Sequence, residues 1–103
     1  MKRLNIQLQP ARSPELNLAE AVAKLSSLAP GVRTTEGQDQ GLYVNVDFKT
    51  ADLSGLWKSV QRALEAVPGL KRAAIIVCEG ERGWDDYLLL HHLDPQEQVD
   101  ALA

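Results

Sequence analysis

The most constraining feature of this chain is that its first three quarters superpose on themselves. At an offset of 38 residues Leu4 falls on Leu42, Ile6 on Val44 and Leu8 on Val46. Leu18 falls on Leu56, Val22 on Val60, Pro30-Gly31 on Pro68-Gly69 and Val32 on Leu70, and no insertion is needed. Self-similarity over so long a period reports a repeated supersecondary unit rather than a repeated motif.

The local pattern inside each copy defines the unit. Leu4, Ile6 and Leu8 alternate with Asn5, Gln7 and Gln9, and Leu42, Val44, Val46 and Phe48 alternate with Tyr43, Asn45, Asp47 and Lys49. A period of two is the mark of a half-buried strand. Leu18, Ala21, Val22, Leu25 and Leu28 then recur at helical spacing, as do Leu53, Leu56, Trp57, Val60, Leu64 and Val67. Ser13-Pro14-Glu15 predicts the start of the first helix and Asp52 caps the second, while each Pro-Gly pair ends its helix. Val32 to Thr35 predicts a short strand, Glu36 to Gly41 a polar turn, and Ala73 to Cys78 an apolar strand.

Strand-helix-strand twice over is β-α-β-β-α-β, the ferredoxin-like split β-α-β arrangement of the α+β class. The repeat units span about 4–35 and 42–78, with an extension over 79–103. In that extension Gly80 to Gly83 predicts a turn and Trp84 to Leu93 a returning fifth strand, although Trp84, Tyr87, Leu88 and His91 also fit one helix face. Asp94, Pro95 and Glu97 predict a short terminal helix carrying Val99 and Leu102. The 103 residues are one domain's worth, 1–103.

Composition removes several classes of function. The net charge is -3 and the cations are dispersed, so the basic footprint of a nucleic-acid binder is missing. The ribonucleoprotein variant of this fold would also need aromatics where Asn5 and Asn45 stand. The apolar runs Ala73 to Cys78 and Leu88 to Leu90 are too short to span a bilayer, and the amino terminus shows no secretory apolar segment. The single cysteine, Cys78, has no partner within the chain, in keeping with a reducing, cytoplasmic setting.

The remaining chemistry is sparse. His91-His92 point to opposite faces of a strand and do not chelate one metal. A tight turn at Gly80 to Gly83 would set Cys78 opposite Asp85 and His91 opposite Arg72, roughly 20 Å apart, too far for a nucleophile-base pair. Asp85-Asp86 with Glu79 and Glu81 lack a calcium-loop spacing and suit a solvated hairpin tip. No phosphate loop, nucleophile elbow, zinc motif or other cofactor signature is present, so no catalytic residue, metal or cofactor is assigned.

Two surfaces are left. Asn5, Gln7, Tyr43, Asn45 and Asp47 form a polar sheet face suited to a small ligand, as is the neighbourhood of Trp84. The late hairpin is apolar on both alternating sets, which implies cover on both faces with no third helix to supply it. In the register above, Ala74, Ile76, Cys78, Tyr87 and Leu89 share one face, and Ala73, Ile75, Val77, Leu88 and Leu90 the other. The leading expectation is a non-enzymatic interaction or assembly domain, homodimeric through this hairpin, with Ile76, Trp84, Tyr87 and Leu89 as its contact residues. A small-ligand binder or small enzyme is the alternative.

Overall fold

A computed structural model describes residues 1–102. Five strands, β1 (Lys2–Leu8), β2 (Arg33–Gln38), β3 (Leu42–Thr50), β4 (Ala74–Gly80) and β5 (Gly83–His91), form one sheet in the order β2-β3-β1-β4-β5. Every pairing is antiparallel. Two helices, α1 (Leu18–Ser26) and α2 (Leu53–Ala66), make the crossovers. The first four strands therefore have the ferredoxin-like order, and β5 extends the sheet beyond β4.

Register explains where the core lies. Leu4 sits between Phe48 and Cys78, Ile6 between Val46 and Ile76, and Leu8 between Val44 and Ala74. These three rows of three are all buried, as the period-two alternation requires. Ala21 and Leu25 of α1 and Leu56, Val60, Ala63 and Leu64 of α2 close over them. Each fully buried aliphatic side chain contributes roughly 1.5–3 kcal/mol relative to exposure. Asn5, Gln7, Tyr43, Asn45 and Asp47 fall on the opposite, open face, each half-buried.

The repeat is real in its turns and unequal in its helices. Both Pro-Gly pairs place glycine in the left-handed region, Gly31 at φ 72° and Gly69 at φ 80°. Asp52 caps α2 as expected, accepting from the Gly55 N–H at 3.0 Å. Ser13, however, does not cap α1. A 3-10 turn over Pro10–Arg12 takes the Ser13 N–H onto the Pro10 carbonyl, and the Leu16 N–H returns to the Ser13 carbonyl. The Ser13 side chain is turned inward, and Asn17 caps α1 instead by accepting from the Glu20 N–H at 3.0 Å. The helix also ends at Ser26, leaving Leu28 beyond it and Pro30-Gly31 four residues further on, so α1 has 9 residues against 14 in α2.

The second strand is longer than Val32 to Thr35 and runs on to Gln38, leaving a turn at 39–41 with Gln40 at φ 58°. It is a wholly polar edge strand, which in sequence resembles a turn; charged and polar edges also discourage stray pairing.

The stretch from Trp84 lies in a strand, not a helix, that ends at His91 rather than Leu93, and its register differs from that of an ideal hairpin. Gly80 faces Gly83, whereas Cys78 faces Leu88, Val77 faces Leu89 and Ile76 faces His91. Two irregularities absorb the extra residues of β5. Leu88 and Leu90 consequently join Ala74, Ile76 and Cys78 on the helix side, while Leu89 joins Ile75 and Val77 outside. The grouping expected from a regular register is thus exchanged for these leucines. Beyond β5 the expected closing helix comes down to one turn, in which the Glu97 N–H donates to the Asp94 carbonyl. Asp100 then clips onto β5: its N–H donates to the Leu89 carbonyl and its carboxylate accepts the Leu89 N–H. No helix among the described residues is long and apolar enough to cross a membrane.

Candidate functional site

The open face has two flanking grooves joined by a polar ladder. In the middle, Asn5 Nδ2 donates to Asp47 Oδ1 at 2.7 Å and lies 3.4 Å from Asn45 Oδ1. This follows from register, since Asn5 is directly across from Asp47 and Gln7 from Asn45. The five polar residues anticipated for a ligand face are therefore brought together, but Asn5 and Asp47 already satisfy one another. Tyr43 is committed locally: its ring lies over Gly37, its cross-strand neighbour, where any side chain would collide with it. It is not splayed out as a stacking platform.

At one end of the ladder, a groove of about 440 Å³ is lined by Gln7, Gln9, Arg12, Asp39, Tyr43 and Asn45. At the other end, a groove of about 430 Å³ is lined by Arg3, Arg33, Thr35, Asp47, Lys49 and Trp84. This second groove joins β1, β2, β3 and β5. Trp84 is 43% exposed. Arg3, Arg33 and Lys49 were not anticipated as site residues, because they are dispersed along the chain. The signal was present in part: Arg3 continues the outward set of β1 and Lys49 that of β3.

On the late hairpin, outward Ile75, Val77 and Leu89 are half-buried, and Tyr87 is 57% exposed. Ile76 belongs to the core at 0% exposure and offers nothing to a partner. Its even-numbered neighbours on β4 face the helices with it, which settles the orientation of the strand.

The other chemical candidates serve the fold. Bulges bring His91 opposite Ile76, only two residues from Cys78, so the separation of roughly 20 Å expected from a regular hairpin does not hold. The two side chains have separate surroundings. Cys78 is buried, and desolvation pushes its thiol up from the ordinary value, more than the Leu88 backbone hydrogen bond and the Lys2 charge pull it down. His91 Nε2 donates to the Lys71 carbonyl at 2.8 Å, and His92 Nδ1 accepts the Asp94 N–H at 3.0 Å. Asp86 closes the hairpin tip by accepting the Arg82 N–H at 2.8 Å. Among the described residues no group of three or more His, Cys, Asp or Glu converges on a metal position.

Topology thus defines the class, an antiparallel ferredoxin-like α+β domain with a fifth strand added beside β4. The chain matches no family model, no curated protein and no solved structure.

Proposed function

We propose that the chain is a non-enzymatic interaction domain of the cytoplasm that assembles as a homodimer through the outer face of its late hairpin. The carrying observation is the outward row of β4 and β5: Ile75, Val77 and Leu89, with Tyr87 beside them, apolar and without a helix above. A solvated antiparallel face ordinarily alternates apolar-in with polar-out, and β1 and β3 do so while β4 does not. A second copy supplies the matching row, because a two-fold axis sets the same patch against itself. The edge of β5 supports the same conclusion. The Asp100 clip covers only Leu89, and open strand edges invite further pairing.

The test is the mass in solution of the wild type and two variants, by sedimentation equilibrium at about 100 μM. The wild type is expected at twice the chain mass. Leu89→Lys is expected to remain folded and run as a monomer, whereas Ile76→Asp is expected to unfold, since it buries a charge in the core. A wild type that is monomeric at this concentration overturns the proposal.

A further inference from the structure

We infer that the groove between Trp84 and the Arg3–Lys49 end of the sheet binds a small phosphorylated molecule bearing one planar ring. The chain has 11 Lys and Arg against 14 Asp and Glu, yet this groove gathers Arg3, Arg33 and Lys49 around the single acid Asp47. Arg3 lies directly across from Lys49 in the β1–β3 register. Like charges in directly opposed positions destabilise a sheet. Arg33 lies directly across from Asp47, but no ion pair forms between them; Asp47 accepts from Asn5 instead. Among the described residues the ion pairs are Lys71–Glu65 and Arg82–Asp86, so all three groove cations are unneutralised.

Three cations and one acid leave a surplus of two positive charges. A phosphate monoester near neutrality carries about -1.5 to -2 and three strong acceptor oxygens, which matches that surplus. Two arginine forks suit its geometry, because a planar guanidinium meets phosphate oxygens in pairs. Trp84 supplies the second element. It follows Gly83, whose φ of 74° turns the chain into β5, and it lines the groove while remaining 43% exposed. A half-exposed indole beside cations is a surface for a flat ring. The volume of about 430 Å³ lies in the range of small-molecule pockets.

The same geometry argues against a polynucleotide. Single-strand binders line up successive aromatic platforms along a basic track. Here Tyr43 is folded over Gly37, and Asp47 stands within the groove itself, where it breaks any continuous basic track. One ring and one phosphate fit; a chain of them does not.

The test is calorimetric titration with adenosine 5′-monophosphate, adenosine, inorganic phosphate and a short oligoadenylate. Each is run on the wild type and on Leu89→Lys, so that self-association and binding are read separately. The monophosphate is expected to bind one per chain, at least tenfold more tightly than adenosine or phosphate alone, and more weakly as salt rises. Arg33→Gln, on the exposed edge strand, removes the charge without setting an acid across from Asp47, and is expected to weaken it about tenfold or more with an unchanged melting temperature. Trp84→Ala is expected to weaken it roughly 5- to 100-fold, the loss of one ring stack. No binding of the monophosphate at millimolar concentration overturns the inference, as does undiminished binding by Arg33→Gln. An oligoadenylate that binds far more tightly than the monophosphate overturns it in favour of a nucleic-acid surface.

Discussion

Gly31 and Gly69 occupy equivalent places in the two repeat units and share a left-handed backbone, at φ 72° and 80°. They differ in what surrounds them. A Cβ at Gly31 meets nothing within 4 Å, whereas one at Gly69 would stand 2.5 Å from Ser13 Oγ, 2.7 Å from Glu15 Cγ and 3.0 Å from the Leu16 backbone nitrogen. Gly31→Ala should therefore cost only the backbone penalty, roughly 1–2 kcal/mol. Gly69→Ala adds overpacking of about 1–3 kcal/mol, because Ser13 is 2% exposed and the Leu16 nitrogen is main chain. Against a total stability of about 5–15 kcal/mol, the second change is severe.

Ser13 provides the internal control. Its Oγ is buried with no hydrogen-bond partner, a state that costs about 1–3 kcal/mol. Ser13→Ala should thus leave stability unchanged or raise it. Combined with Gly69→Ala, it should recover part of the loss, because it removes the nearest clashing atom. Urea denaturation of the four proteins, read as a double-mutant cycle, measures that recovery directly, with coupling of about 0.5–3 kcal/mol expected for touching residues. Equal losses at Gly31 and Gly69 would refute the packing argument. A loss above about 1 kcal/mol for Ser13→Ala alone would show that the hydroxyl has a partner.

Two further expectations use the same denaturation assay. Ile76→Ala should cost about 2–5 kcal/mol, the range for emptying a fully buried aliphatic site. Ile75→Ala, one residue away on the open face, should cost less than half as much at low protein concentration, and equal costs would refute the face assignment of β4. Cys78 should make stability fall in alkali: its folded thiol is raised, so its contribution is complete below the unfolded value of about 8.5 and is lost as pH rises through the folded one. Cys78→Ala should flatten that decline, and a decline identical in both proteins would assign it to other groups.

How much of this was legible in the chain depended on the range of the interactions. The alternation in β1 and β3, the apolar stripe of α2 and its Pro-Gly stop are local signals that appear in place, whereas α1 ends at Ser26, before Leu28 and four residues short of Pro30. The start of α1 is not local. Ser13-Pro14-Glu15 has the chemistry of a cap, but Ser13 is buried beside Gly69, far along the chain, and Asn17 takes the role. The β5 register is likewise set by tertiary contact. Gly80 lies so close to Asp86 that a Cβ would stand 2.1 Å from the Asp86 carbonyl, where β5 bulges and Asp86 folds back to bind the Arg82 N–H. No local residue pattern announces that approach. The groove was hidden for a related reason: Arg3, Arg33, Lys49 and Trp84 come from four strands and meet only after the sheet is assembled.

The open face is divided, and the division follows one strand boundary. Asn5 lies directly across from Val77 and Gln7 from Ile75, so polar and apolar outward rows stand side by side between β1 and β4. On the β1 side each outward amide finds a polar neighbour, Asn5 on Asp47 and Gln7 on Gln9. On the β4 side the outward neighbours come from β5, and Leu89 across from Val77 is apolar. One face therefore makes two different demands on what touches it. The β1–β3 side can remain wet, and its basic end requires counter-charge. The β4–β5 side gains by losing water, and both helices are already occupied on the opposite face. A single uniform occupant would satisfy one half at the expense of the other. The proposed charged ligand and the proposed apolar protein partner accordingly fall on different halves.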